Sequence, residues 1–158
     1  MKRFLCFCVL IMTALTAFCQ EVKVIRFDEL EKRFSGNPDT VYIVNFWATW
    51  CVPCVKEIPF FEQLSEKYKS EPVKVIFYSL DFKSKLSKEV IPFIKKNNIK
   101  SEVLLNQDND EKFINAVSEN WSGAIPATLV INNRKGIRNF YEEEFDFDQL
   151  EEIYLKSK

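Results

Sequence analysis

Two cysteines separated by two residues, Cys51 and Cys54, are the side chains best placed to do chemistry. A free thiol has a pKa of about 8.5, so only a few per cent is thiolate at pH 7 unless the surroundings favour the charge. An apolar run over Val41–Trp47 predicts a buried strand before the pair, and helical spacing begins at Val52. Cys51 is therefore expected at a helix N-terminus, where free N–H groups and the helix dipole stabilise a thiolate. We predict that Cys51 attacks a disulfide and that Cys54 resolves the mixed disulfide.

Two other roles for this cysteine pair fit the sequence less well. A structural zinc site needs four ligands, and the chain contains no histidine and no cysteine after residue 54. A structural disulfide between such close residues closes almost no chain and stabilises little. The lack of histidine also excludes Ser–His and Cys–His catalysis, and three widely spaced glycines exclude a Gly-rich phosphate loop. We therefore expect redox chemistry that uses the cysteine pair alone, with no metal and no other cofactor.

The N-terminus has the pattern of a secretory signal peptide over residues 1–19. Two basic residues precede an almost unbroken apolar run over residues 4–17, and small side chains occupy the −3 and −1 positions of a cut after Cys19. The run is shorter than the roughly 20 residues that span a bilayer. An uncleaved membrane anchor and a lipoprotein acylated at Cys19 are the alternatives. We expect an exported protein, periplasmic if the source is a Gram-negative bacterium, with a single domain over residues 20–158.

Cleavage after Cys19 would change both the cysteine count and the charge. It leaves Cys51 and Cys54 as the only cysteines, and 20 basic against 23 acidic residues, a net charge of −3. An acidic domain is poorly suited to binding nucleic acid or an anionic membrane surface. We therefore expect no nucleic-acid partner.

Alternating strands and helices are predicted along the rest of the chain. The predicted strands cover residues 22–27, 41–47, 73–80, 103–105, 125–131 and 137–141, and the predicted helices cover 29–34, 52–69, 87–97, 110–120 and a last helix after residue 146. Asp28 and Asp146 are expected to cap the first and last helices, and residues 132–136 to form a hairpin turn. This order predicts an α/β fold, a central mixed β-sheet flanked by helices on both faces.

The segment 44–54, with its Trp-Cys-Val-Pro-Cys end, resembles the active-site segment of thioredoxin-like proteins. It is most similar to exported bacterial thiol-disulfide oxidoreductases of the ResA/TlpA type. Pro59 matches the helix-kinking proline of that fold, and Ile125-Pro126-Ala127-Thr128 matches the loop whose cis-proline faces the cysteines. The resemblance implies a thioredoxin-like fold with an extra strand and helix at about residues 81–105, and a cis Ile125–Pro126 peptide bond.

The same resemblance implies which residues contact a substrate. They surround the cysteines in the sequence or lie in the cis-proline loop: Trp50, Val52, Pro53, Ile125 and Pro126. The implied partners are disulfide-containing exported proteins, with apocytochrome in cytochrome c maturation as one candidate, and a membrane-borne electron donor. Reduction of such disulfides is the expected activity, and a disulfide-forming oxidase or a binding module without turnover are the alternatives. Val52 is neither the glycine that general reductants have at this position nor the polar or charged residue of several specialised members. The residue type therefore does not indicate the direction of electron flow.

Glu57 is the candidate for handling the proton of the resolving thiol. It lies three residues after Cys54 on the same predicted helix face, and the ResA-type resemblance also supplies a glutamate there. Asn45 occupies the position of the buried aspartate of plain thioredoxins, and an amide does not titrate. We expect Glu57, with its pKa raised by burial, to exchange a proton with the cysteine pair. The alternative is that Glu57 points to water beside Lys56.

Overall fold

Six strands form one mixed sheet in the computed structural model, which describes residues 21–108 and 111–158. They are β1 (Lys23–Ile25), β2 (Val41–Trp47), β3 (Val73–Ser79), β4 (Glu102–Asn106), β5 (Ala127–Asn132) and β6 (Ile137–Tyr141). Their order across the sheet is β1-β4-β3-β2-β5-β6; the first four are parallel, and β5 runs antiparallel to both β2 and β6. The expected mixed sheet is therefore confirmed, and the predicted signal peptide lies outside the described residues.

Helices cover both faces of this sheet. They are α1 (Phe27–Gly36), α2 (Val52–Lys67), α3 (Ile91–Lys96), α4 (Glu111–Val117) and α5 (Phe147–Ser157). One core cluster joins α2, α3 and α5 to the sheet, and a second joins α1 and α4 to the opposite face. All seven residues of β2 are buried, with Ile43 in the first cluster and Val44 in the second. Burial on both faces explains why β2 reads as a continuous apolar run.

Most predicted elements are confirmed, and α1 is the clearest correction. The helix begins at Phe27, after Arg26, so the prediction that Asp28 caps it is wrong. Phe27 is buried, and its N–H donates to Oδ2 of Asp108 at 2.7 Å. Because this aromatic side chain is buried, the helix begins two residues earlier than Asp28 as a cap would predict. By contrast, Asp146 caps α5 as predicted, accepting from the N–H of Gln149 at 2.9 Å.

The segment after β3 contains a helix and a strand, as the resemblance implies, but the helix is shorter than residues 87–97. A 3-10 turn over Lys83–Lys85 and a π-helical turn over Leu86–Val90 precede α3. Pro92 has no N–H, so it cannot supply the regular helical hydrogen bond at this point. The strand predicted from residue 125 likewise begins only at Ala127, because Pro126 has no N–H to donate to the sheet.

The remaining features of the fold are the bounds of α4 and the length of the described helices. The helix predicted over 110–120 is present as α4, but it ends at Val117 and residue 110 lies outside the described part. Within residues 21–108 and 111–158, no helix combines the length and the apolar character needed to cross a bilayer.

Candidate active site

The cysteine pair lies where β2 ends and α2 begins. Cys51 is the residue directly before the helix, and its Sγ accepts a hydrogen bond from the backbone N–H of Cys54 at 3.3 Å. The two sulfur atoms form a disulfide with an S–S distance of 1.96 Å. Cys51 is 5% exposed and Cys54 is fully buried. This placement gives Cys51 both the solvent contact and the N–H donor that a nucleophilic thiolate requires.

The loop before β5 faces this pair across the sheet end. The Ile125–Pro126 peptide bond is cis, as the resemblance implies. The carbonyl oxygen of Ile125 lies 3.7 Å from Sγ of Cys51, although the two residues are 74 positions apart. Antiparallel pairing of β5 with β2 brings them together, since Ala127 is in register with Phe46. A backbone acceptor is thus available beside the sulfur that would attack a substrate.

The other predicted substrate-contacting residues differ in exposure. Trp50 and Val52 are 64% and 66% exposed, while Pro53 is partly buried in the first turn of α2. Phe82, which sequence reasoning missed, is 73% exposed and follows Asp81 at the end of β3. Exposed apolar side chains thus flank Cys51, at Trp50 and Val52, and follow β3, at Phe82.

Asp81 is a second residue that sequence reasoning missed. It is buried, and its carboxylate accepts from the N–H of Thr49 at 2.9 Å and from the Thr49 hydroxyl at 2.7 Å. It also accepts from the Ser79 hydroxyl at 2.9 Å. Asp81 therefore joins the loop that carries Trp50 to the loop that carries Phe82. An acidic residue directly after the strand predicted over residues 73–80 was the available signal, but its partner is 32 positions away.

Glu57 lies inside the protein on the inner face of α2. Its side chain is fully buried; Oε1 accepts from Nδ2 of Asn45 at 2.7 Å and Oε2 accepts from the N–H of Phe145 at 3.0 Å. The alternative that it points to water beside Lys56 is wrong. Burial raises the pKa of Glu57 to about 7, the two hydrogen bonds oppose this rise, and the charge of Glu144 adds to it.

The donors around Glu57 come from separate parts of the chain. Asn45 lies on β2 and Phe145 in the segment before α5; Thr128 lies on β5, where its hydroxyl accepts from Nδ2 of Asn45 at 3.3 Å. Phe145 carries no sequence signal that connects it to the cysteines, whereas Thr128 belongs to the motif Ile125-Pro126-Ala127-Thr128, which the resemblance places opposite them. Through residues 21–108 and 111–158, no three Cys, Asp or Glu side chains come together as metal ligands would.

Known proteins resemble this chain in sequence and in fold. Thiol-disulfide oxidoreductase ResA of Bacillus cereus is 34% identical over 89 residues, which are 56% of this chain and 47% of that protein. The chain thus spans about half the length of this curated relative.

Solved structures share the fold. A thiol:disulfide interchange protein of the thioredoxin family from Chlorobium tepidum TLS matches with a TM-score of 0.65 at 21% identity, covering 78% of this chain and 83% of that one. StoA from Bacillus subtilis matches with a TM-score of 0.57 at 25% identity, covering 73% and 83%. Residues 20–154 match the Redoxin family, and this chain therefore belongs to that family and has a thioredoxin-like fold.

Proposed function

We propose that this protein is an exported thiol-disulfide oxidoreductase that reduces disulfides of other exported proteins. The observation that carries the proposal is the position of Cys51, at the start of α2 with the Cys54 N–H on its sulfur and the Ile125 carbonyl 3.7 Å away. The names of the curated relatives support the reaction type. The apolar segment at residues 4–17 supports export.

The reaction begins with both cysteines reduced. The Cys51 thiolate, stabilised by the free N–H groups at the start of α2, attacks one sulfur of the substrate disulfide. A bond forms between Sγ of Cys51 and that sulfur, the substrate S–S bond breaks, and the other substrate sulfur leaves as a thiolate. The Ile125 carbonyl is placed to accept a hydrogen bond from an extended substrate segment bound beside Pro126.

The second step releases the substrate and needs a proton acceptor. Cys54 is fully buried, and burial disfavours a thiolate. Glu57, three residues later on the same helix, takes the proton of the Cys54 thiol as a carboxylate. The Cys54 thiolate then attacks Sγ of Cys51, which forms the intramolecular disulfide and expels the first substrate sulfur. Two electrons have moved to the substrate, and Glu57 returns its proton to a leaving thiolate.

Substrate contacts outside the cysteines come from exposed apolar side chains. Trp50 and Val52 flank Cys51, and Phe82 stands on the loop that Asp81 joins to Thr49. We propose that these side chains contact apolar residues next to the substrate cysteine, with Pro53, Ile125 and Pro126 forming the partly buried floor. The pair itself is the redox group, with no metal and no further cofactor.

Regeneration requires an electron source. We propose a membrane-borne donor that reduces the Cys51–Cys54 disulfide, and exported apocytochrome as one substrate. Cleavage of the signal peptide gives a periplasmic protein in a Gram-negative source, whereas retention of residues 1–19 gives a membrane-attached one.

The reduction potential of the purified domain tests this proposal. The potential is measured by equilibration in dithiothreitol buffers, and insulin reduction is followed in parallel. A value near about −270 mV, with turnover of insulin, supports a reductase, whereas a value near about −120 mV supports a disulfide-forming oxidase. Absence of insulin reduction by the wild-type protein supports a binding module instead. Cys51→Ser is the inactive control, and Cys54→Ala is expected to trap substrates as mixed disulfides with Cys51.

A further inference from the structure

Asn45 has a polar atom that the described residues leave without a partner. The side chain is fully buried on β2, and its Nδ2 donates to Oε1 of Glu57 at 2.7 Å and to the hydroxyl of Thr128 at 3.3 Å. Its Oδ1 is also buried and accepts no hydrogen bond from residues 21–108 and 111–158. A buried amide with both N–H groups in use and its oxygen unused needs an explanation, since unpaired buried acceptors carry a free-energy cost.

The partners of Glu57 suit only one of its two protonation states. Both carboxyl oxygens accept from N–H groups, Oε1 from Asn45 and Oε2 from Phe145. Two donors complement a carboxylate, which accepts at both oxygens. A protonated Glu57 would carry an O–H group that needs an acceptor, and Nδ2 and the Phe145 N–H offer none. Addition of a proton therefore makes the present arrangement unfavourable.

A half-turn of the Asn45 amide removes the conflict at Glu57 and moves the unpaired atom of the amide from Oδ1 to Nδ2. Rotation about the terminal side-chain bond exchanges Nδ2 and Oδ1, so the unused oxygen comes to face both Glu57 and Thr128. Oδ1 can then accept from the O–H of protonated Glu57, and the Thr128 hydroxyl can change from acceptor to donor because it is free to rotate. The amide makes two hydrogen bonds in each orientation. Each orientation therefore matches one protonation state of Glu57.

We propose that Asn45 is a positioning residue whose side-chain amide turns by half a rotation each time Glu57 gains or loses a proton. When the Glu57 carboxylate takes up one proton from water it becomes the carboxylic acid, and the Asn45 amide then turns. This inference rests on the proposed function, because the rotation would serve the proton transfer between the Cys54 thiol and Glu57. The rotation stabilises both forms of Glu57 and so lets the residue both take up and give back a proton.

The surroundings of Glu57 allow both forms near neutral pH. The disulfide-bonded cysteines at the start of α2 are uncharged, and Asn45 on β2 and Thr128 on β5 are neutral. Glu144 is the charged group that acts on Glu57 from the segment before α5. Burial with this arrangement places the pKa of Glu57 at about 7. The rotation should therefore occur within a pH range where the fold is intact.

Nuclear magnetic resonance of the oxidised protein tests the rotation without any turnover. The carboxyl carbon of Glu57 and the side-chain amide of Asn45 are followed from pH 5 to pH 9. Above the Glu57 midpoint the amide hydrogens should show strong Overhauser contacts to the Thr128 methyl group. Below it these contacts should weaken several-fold, with the same midpoint. Contacts that persist unchanged through the Glu57 titration would overturn the proposal.

Two variants add a second readout. Asn45→Leu removes the hydrogen bond that the amide donates to the Glu57 carboxylate and the one that it accepts from protonated Glu57. The bond to the carboxylate is charge-assisted and therefore the stronger of the two. We expect the Glu57 midpoint to rise by at least about 0.5 pH unit, a threefold change in proton affinity. Thr128→Val, the matched control, removes one amide partner in both orientations and should move the midpoint less. An unchanged Glu57 midpoint in Asn45→Leu contradicts the proposal. If this variant does not fold, the Overhauser contacts between the Asn45 amide and the Thr128 methyl group of the wild-type protein test the proposal by themselves.

Failure of this inference can be told from failure of the proposed function. A protein that reduces insulin while its Asn45 amide stays fixed overturns only the rotation. A protein whose amide rotates with the Glu57 titration but that does not reduce insulin overturns only the oxidoreductase activity.

Discussion

The backbone N–H of Phe145 donates to Oε2 of Glu57 at 3.0 Å, across 88 positions of sequence. This contact joins the segment before α5 to the inner face of α2, the helix that begins directly after Cys51 and contains Cys54. The Phe145 side chain is itself buried and packs at the site edge, with its ring 5.5 Å from that of Tyr141. A carboxyl that would otherwise be a surface group is thereby enclosed one helical turn from Cys54.

The enclosed carboxyl of Glu57 should make stability depend on pH. Its pKa in the folded protein is about 7, against 4.5 as the ordinary value, so between these values the folded state binds more protons than the unfolded state. Stability therefore falls as pH rises through this range. Glu57→Gln removes the titration, and its free energy of unfolding relative to wild type should rise by about 3 kcal/mol from pH 4.5 to pH 7.5.

Urea unfolding of the oxidised proteins at several pH values measures this difference. Glu143→Gln changes an exposed carboxyl in the neighbouring segment and should follow the wild-type curve. A Glu57→Gln curve parallel to wild type would mean that the pKa of Glu57 is the same in the folded and unfolded states.

Unequal access to the two thiols should make Cys51 react first. Cys51 retains 5% exposure and accepts the Cys54 N–H, whereas Cys54 is fully buried. In the reduced protein at pH 7, iodoacetamide should modify Cys51 at least about tenfold faster than Cys54, because the exposed thiolate is the reactive form. Peptide mass spectrometry over time gives both rates. Faster labelling of Cys54 would reverse the assignment of attacking and resolving thiols.

The buried carboxylate of Asp81 should contribute strongly to stability. Asp81→Ala leaves the N–H and hydroxyl of Thr49 and the hydroxyl of Ser79 without their acceptor. We expect a loss of at least about 2 kcal/mol in the free energy of unfolding, measured in urea at pH 7. Asp28→Ala removes an exposed carboxylate that pairs with Arg26 and Lys32, and should leave stability nearly unchanged. Equal stability of the two variants would show that the Asp81 contacts contribute little.

The exposed side chains beside Cys51 should affect substrate binding more than folding. Trp50→Ala and Val52→Ala remove apolar surface that water already reaches, so unfolding in urea should change little. Each should raise KM for insulin about fivefold, which corresponds to about 1 kcal/mol of lost apolar contact. Leu155→Ala, at an exposed apolar position on α5, is the control and should keep the wild-type KM. An unchanged KM in all three variants would remove Trp50 and Val52 from the substrate surface.

Local patterns in the sequence determined much of this protein. The continuous apolar run gives β2 its full range, Val41–Trp47, because a strand buried on both faces needs apolar residues at nearly every position. The start of α2 after Cys51 and the Asp146 cap of α5 also follow from a few adjacent residues. The cis bond before Pro126 was implied by the resemblance of the active-site segments.

Tertiary structure alone decided the environment of Glu57 and the loops around the cysteines. Nothing near residue 57 indicates the donors from Asn45 and Phe145, and nothing near Asp81 indicates its contact with Thr49. Arg26 rather than Asp28 precedes α1 because Phe27 is buried in the core. Burial and hydrogen-bond partners depend on which distant segments the sheet brings together, and these determine the charge that a carboxyl carries. Local spacing therefore predicts that Glu57 lies on the same helix face as Cys54. The expectation that it is buried depended instead on its proposed role, and only the distant segments that enclose it decide against the alternative that it points to water.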